Sequence, residues 1–167
     1  YGYDILLRLR EKVFRDGALY FLYDRRTGEN IAGGPSGWGS ASILNAIDEG
    51  LAGIRDADTG YAVIDFSPRW PVTEYAELRY VTGYEFSRKF VDCRYVLTEK
   101  GMRYRLESPA RRVNAHILLP RGRKAGAVHV NGERVCGWTL ENVGESVYVN
   151  WSGPVRDAVD FEILFEE

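Results

Sequence analysis

The chain has 167 residues with 22 Lys and Arg against 24 Asp and Glu, a formal net charge of −2, and its length suits one full core or a sandwich with a helical appendage. The charges are spread evenly, so no basic stripe is offered to a nucleic-acid backbone. No apolar run approaches the ~20 residues of a membrane span or the layout of a signal peptide, so neither nucleic acid nor membrane is expected as a partner, and a soluble, cytoplasmic chain is.

Ile5, Leu6, Leu9 and Val13 repeat at helical spacing, which predicts a first helix over 2–14. From Tyr23 to Trp38 the chain is rich in glycine and polar groups and reads as a long loop, with Gly33, Gly34, Pro35, Gly37 and Gly39 costing entropy to order. Loops of this length are functional or disordered as a rule. This one reads either as a surface excursion between helices or as a wall of an active-site cleft. Ile43, Leu44, Ile47, Leu51 and Ile54 then share one face, with Asn45, Asp48 and Glu49 opposite, which predicts a second helix over 38–52 stopped by Gly50 and Gly53. Tyr1 opens without a cap, which suggests that a longer N-terminal part precedes it.

Near residue 55 the apolar period changes from helical spacing to two. Val91, Cys93, Tyr95 and Leu97 alternate with Asp92, Arg94 and Val96, as do Met102, Tyr104 and Leu106 with Arg103, Arg105 and Glu107. The same pattern runs through Val113 to Leu119, Val147 to Trp151 and Val159 to Phe165. Lys100-Gly101 and Asn131-Gly132 stand where tight hairpin turns need positive φ. Eight or nine strands with short turns predict a mainly β fold, an antiparallel, jelly-roll-like β-sandwich over 55–167 preceded by a helical hairpin over 1–54.

The two cysteines, Cys93 and Cys136, fall on separate predicted strands and are expected as buried thiols of a cytosolic protein rather than a disulfide. His116 and His129 have no carboxylate or cysteine at ligand spacing, so no metal site is expected, and no cofactor. Ser108, Ser146 and Ser152 lack a nucleophile-elbow context. The 11 Tyr and 4 Trp serve either a thick core or surfaces that stack on sugars.

Tyr23-Asp24-Arg25-Arg26-Thr27-Gly28-Glu29, followed by Gly37-Trp38-Gly39-Ser40 and a helix, resembles a segment of trehalases and processing α-glucosidases, six-hairpin glycosidases. The helix ending in Gly53-Ile54 and passing through Gly60-Tyr61 to Ser67-Pro68-Arg69-Trp70-Pro71 resembles the junction of α/α-toroid and β-sandwich in those enzymes and in disaccharide phosphorylases. The resemblance implies a carbohydrate as partner, an upstream helical toroid of the same protein as a second one, and Asp24, Ser36, Trp38 and Ser40 as substrate-binding residues lining the sugar cleft.

The general base of those hydrolases lies two residues before the Tyr, where this chain has Phe21. Glu29 is the candidate for a displaced base, since inverting hydrolysis needs a carboxylate to activate water. A phosphorylase needs none, because phosphate attacks and the start of the second helix would hold the anion. The histidine signals that phosphorylases and rhamnosidase-like enzymes carry ahead of this helix are absent, with Pro35-Ser36-Gly37-Trp38 in their place. The expected function is the C-terminal portion of a glycoside hydrolase or disaccharide phosphorylase, whose general acid lies upstream, so that this chain alone is inactive. The competing class is a free-standing carbohydrate-binding or interaction module. Trp70, in its Pro-flanked turn, is expected as a plug between helix and sandwich.

Overall fold

The computed structural model describes residues 2–166, which fall into two compact units, Tyr1–Ile47 and Asp48–Glu167. In the first unit, α1 spans Gly2–Asp16 and α2 spans Gly37–Asn45, and a π-helical stretch, Ala46–Leu51, carries the chain into the second. Ser36 caps α2 from an extended backbone, its Oγ accepting from Gly39 N at 3.0 Å, which satisfies one of the free amides of the first turn.

The segment expected as a long loop is instead a β-hairpin. Strands β1 (Tyr20–Tyr23) and β2 (Asn30–Pro35) pair antiparallel, with Tyr23 opposite Asn30 and Tyr20 opposite Pro35. Asp24 makes the turn: its Oδ1 accepts from the backbone N of Arg26 and of Thr27, both at 2.7 Å, and Gly28 reverses the chain at φ 70°. Glycine hides such a strand from a propensity reading, yet Gly33 (φ 73°) is needed where it stands, since a Cβ there would lie 2.8 Å from Phe21 Cβ.

The second unit is a β-sandwich. Its strands are β3 (Ile54–Asp58), β4 (Val63–Phe66), β5 (Glu77–Tyr84), β6 (Lys89–Leu97), β7 (Gly101–Glu107), β8 (Arg112–Leu118), β9 (Ala125–Val130), β10 (Glu133–Arg134), β11 (Thr139–Val143), β12 (Ser146–Pro154) and β13 (Ala158–Phe165). One sheet is six-stranded in the order β10-β9-β13-β7-β6-β5, and the other five-stranded in the order β11-β12-β8-β4-β3. The described strands exceed the eight or nine expected because short or wholly exposed ones, such as β10 and β11, carry no alternation to read. All pairings are antiparallel except β4 with β8, which run parallel. No helix of the described residues is long and apolar enough to cross a membrane.

The period-two residues make the core. Val91, Cys93, Tyr95, Met102, Tyr104, Leu106, Phe161 and Ile163 of the larger sheet are buried against Ile64, Phe66, Val113, Ala115, Ile117 and Val149 of the smaller. Aromatic edges cross the gap, Phe66 to Tyr104 and Trp151 to Phe161, each at 5.4 Å between ring centroids. Trp70 lies in this core with 6% of its surface exposed and tilts against Tyr80 at 5.9 Å. Asn131 (φ 53°) and Gly132 (φ 81°) form the two-residue turn from β9 to β10.

Lys100-Gly101 does not follow the turn rule: neither residue has positive φ, and β6 and β7 are joined by a longer loop closed by Thr98. Gly101 is instead pressed against the neighbouring strand, where a Cβ would lie 2.4 Å from the Ile163 carbonyl oxygen. The cysteines are both free, but only Cys93 is buried; Cys136 is exposed, in the loop after β10 where no sheet covers it.

Candidate functional site

The hairpin sorts the sequence-derived candidates into two groups. Asp24 and Glu29 belong to its turn, while Ser36, Trp38 and Ser40 follow its open end. The strand rise puts roughly 15 Å between these two ends, the span of five residues of extended chain.

At the turn, Asp24 is committed to backbone: the amides of Thr27 and Arg26 hold its carboxyl below the ordinary range. It is ionised and occupied. Glu29 is exposed, its own N donating to Thr27 Oγ1 at 3.2 Å, and it lines a cleft of about 490 Å³ with Arg15, Asp16, Tyr20, Thr27 and Asn30. Lys12 braces this end: it donates to the Gly28 carbonyl, lies 3.2 Å from Asp16 Oδ2, and sits 4.1 Å over the Tyr23 ring.

At the open end, Ser36 is buried with its hydroxyl used as a helix cap, and Ser40 Oγ donates back to the Ser36 carbonyl at 3.0 Å. Both hydroxyls therefore hold the first turn of α2 in place. Trp38 is different. It is 77% exposed and its ring tilts against Phe21 at 5.9 Å, so the residue standing at the position of the missing base packs against the aromatic at the helix start.

A second cluster, in the sandwich, was not singled out from the sequence. It occupies the outer face of the five-stranded sheet, where residues of β4, β8, β12 and β11 point away from the core. Ser67 Oγ lies 2.8 Å from His116 Nδ1, and His116 Nε2 lies 3.5 Å from Glu141 Oε2. The imidazole stacks on the Tyr148 ring with centroids 3.9 Å apart and planes 8° from parallel. Burial holds the imidazole below its ordinary pKa of 6.5; Glu141 partly opposes this and Arg69 adds to it, so the ring is neutral at pH 7.

Beside this trio, Asn114 Nδ2 donates to Asp65 Oδ1 at 2.8 Å, Ser152 Oγ donates to Asn114 Oδ1 at 2.7 Å, and Asn150 Nδ2 donates to Glu141 Oε2 at 3.1 Å. A cleft of about 500 Å³ opens over Asp65, Ser67, Asn114, His116, Asn150 and Ser152. The sequence signal that could have found it is the run of short polar residues at the outward positions of β8 and β12, Asn114, His116, Asn150 and Ser152.

Serine, histidine and glutamate in this order suggest acyl transfer, but the backbone argues against it. Ser67 N donates to the Gly53 carbonyl at 2.7 Å, and the next residue is Pro68, which has no N–H. The amides that usually stabilise an oxyanion next to a nucleophile are thus spent or missing. The trio positions groups for hydrogen bonding rather than for attack. Among the described residues, no group of three or more His, Cys, Asp or Glu could hold a metal ion.

No protein-family profile matches the chain, and no curated protein does. Among solved structures it is similar to an α-L-rhamnosidase from Dictyoglumus thermophilum, with a TM-score of 0.51 at 17% identity over 74% of this chain. The two share a fold. The chain spans 14% of the length of that enzyme, so the likeness concerns one part of a much larger protein.

Proposed function

We propose that this chain is the C-terminal portion of a carbohydrate-active enzyme, a glycoside hydrolase or a disaccharide phosphorylase, in which the sandwich covers and stabilises an upstream helical toroid. The shared fold with a glycosidase carries this reading. The state of residues 2–47 supports it: Ser36 is the one buried residue among them, while Phe14 (82%), Trp38 (77%), Ile31 (62%), Leu44 (60%) and Phe21 (56%) stand exposed. A unit with so little of its apolar surface covered suits a body completed by further helices.

Within that body, Trp38 is the sugar platform, its exposed face free to stack and its back held by Phe21. Ser36 and Ser40 set the backbone around it, as residues of the helix cap, and Asp24 shapes the far end of the hairpin as its turn residue. Glu29 is the displaced base if the enzyme hydrolyses; phosphorolysis needs none.

The test begins upstream. The reading frame preceding residue 1 should encode several hundred residues of helical hairpins carrying paired carboxylates, and an unrelated domain there would overturn the proposal. In the full-length protein, Trp38→Ala should then lower kcat/KM on its glycoside by roughly 5- to 150-fold, the loss of about 1–3 kcal/mol of stacking. Glu29→Gln should cost about 10²–10⁴-fold if it is the base, and unchanged turnover would remove the displaced base and favour phosphorolysis or a non-catalytic loop.

A further inference from the structure

The two outer faces of the sandwich are built differently. On the six-stranded sheet, long charged side chains are laced across strands, Arg79 with Asp92, Arg103 with Glu162 and Arg105 with Asp160, and along β7, Arg105 with Glu107. Such a lattice keeps a sheet face in water and discourages association. On the five-stranded sheet the corresponding positions of β8 and β12 carry short amides, hydroxyls and an imidazole, fixed by hydrogen bonds to one another beneath an open cleft.

We propose that this cleft binds a neutral polyol, a monosaccharide unit, through Ser67, Asn114, His116 and Asn150. That the polyol is a sugar rests on the carbohydrate reading above; the cleft rests on its own geometry. The volume of about 500 Å³ falls within the range of small-ligand sites.

Charge selects the ligand class. Asp65 is the one carboxylate among the residues that line the cleft, so an anion would meet its charge, while its pairing with Arg55 and its hydrogen bond from Asn114 leave it little to offer a cation. A neutral group meets neither penalty. Hydrogen-bond capacity selects within that class. Asn114 spends one N–H on Asp65 and accepts from Ser152, which leaves its second N–H; Asn150 keeps an N–H and its carbonyl oxygen. Adjacent hydroxyls on a ring both donate and accept, and so match an amide edge beside a carboxylate and an imidazole. The stack of His116 on Tyr148 and its contact with Ser67 fix the ring before any ligand arrives, which lowers the ordering cost of binding.

The experiment is a titration of the ¹⁵N-labelled 167-residue chain with D-glucose and with L-rhamnose to about 100 mM, enough to saturate a millimolar site. Saturable shifts should concentrate in 63–67, 112–118 and 147–153, for at least one of the two sugars. The Asn114→Ala/Asn150→Ala double variant should keep a dispersed spectrum and weaken that binding at least about tenfold. Absence of saturable shifts with both sugars, or shifts that persist unchanged in the double variant, would overturn the cleft. The two proposals fail separately: Trp38→Ala leaves cleft binding intact, whereas loss of cleft binding leaves the dependence of turnover on Trp38 in the full-length protein untouched.

Discussion

Gly53 and Ser67 meet backbone to backbone. A Cβ on Gly53 would lie 2.0 Å from both the carbonyl carbon and the carbonyl oxygen of Ser67, and Ser67 N donates to the Gly53 carbonyl at 2.7 Å. This contact closes the end of the β3–β4 pair and delivers the Ser67 hydroxyl to His116, on a strand 49 residues further along the chain.

Gly53→Ala should therefore destabilise the sandwich by about 2 kcal/mol or more, from strain at φ +67° added to the backbone clash. Gly50→Ala is the control, since nothing lies within 4 Å of an added Cβ there. Chemical denaturation followed by circular dichroism measures both. Equal midpoints for the two variants would mean that the contact yields at little cost.

Trp70→Ala should cost roughly 3–5 kcal/mol, the usual range for removing a large buried aromatic. Its ring is 6% exposed and packs on Tyr80, whose hydroxyl donates to Asp48 Oδ1 at 2.5 Å. A melting temperature unchanged by the substitution would show that Trp70 is not a packing residue.

His116 makes stability depend on pH with a defined sign. Its folded pKa is lowered from 6.5, so on acidification the unfolded chain takes the proton first. The contribution is complete above about pH 6.5 and is lost as pH falls from there through the folded pKa. The advantage of the native chain over His116→Gln, read from urea midpoints at about pH 7.5 and pH 5, should shrink at the lower pH. An advantage constant with pH would rule out this linkage.

The thiols should separate by accessibility. Burial pushes the Cys93 thiol up to about 12, so it reacts slowly even if reached, whereas Cys136 is exposed. A chromogenic disulfide reagent should titrate a single thiol in the native chain and both after denaturation. Cys136→Ser should abolish the native reaction, and rapid labelling of Cys93 would reveal local opening of β6.

Much of the architecture follows from the order of the residues alone. The apolar period changes near residue 55, the residues from Met102 to Leu106 alternate faces, and Asn131-Gly132 supplies the φ values of a two-residue turn, because each of these is a local property of neighbouring side chains and backbone. The β1–β2 hairpin is not legible in the sequence because its second strand, Asn-Ile-Ala-Gly-Gly-Pro, consists, apart from Ile31, of residues that disfavour strands; it forms by pairing with β1 and through the Asp24 turn. Gly101 has the local sequence of a turn residue, although its constraint comes from Ile163, a residue distant in sequence.

The polar cleft is decided by tertiary structure throughout. Ser67, His116 and Glu141 lie on different segments, and only the order β11-β12-β8-β4 of the sheet brings them into one hydrogen-bonding row. Alternation along each strand assigns a residue to a face, but it carries no information on which strand lies beside which. That order is set by burial of the opposite faces in a shared core, a property of the whole sandwich that no local stretch encodes.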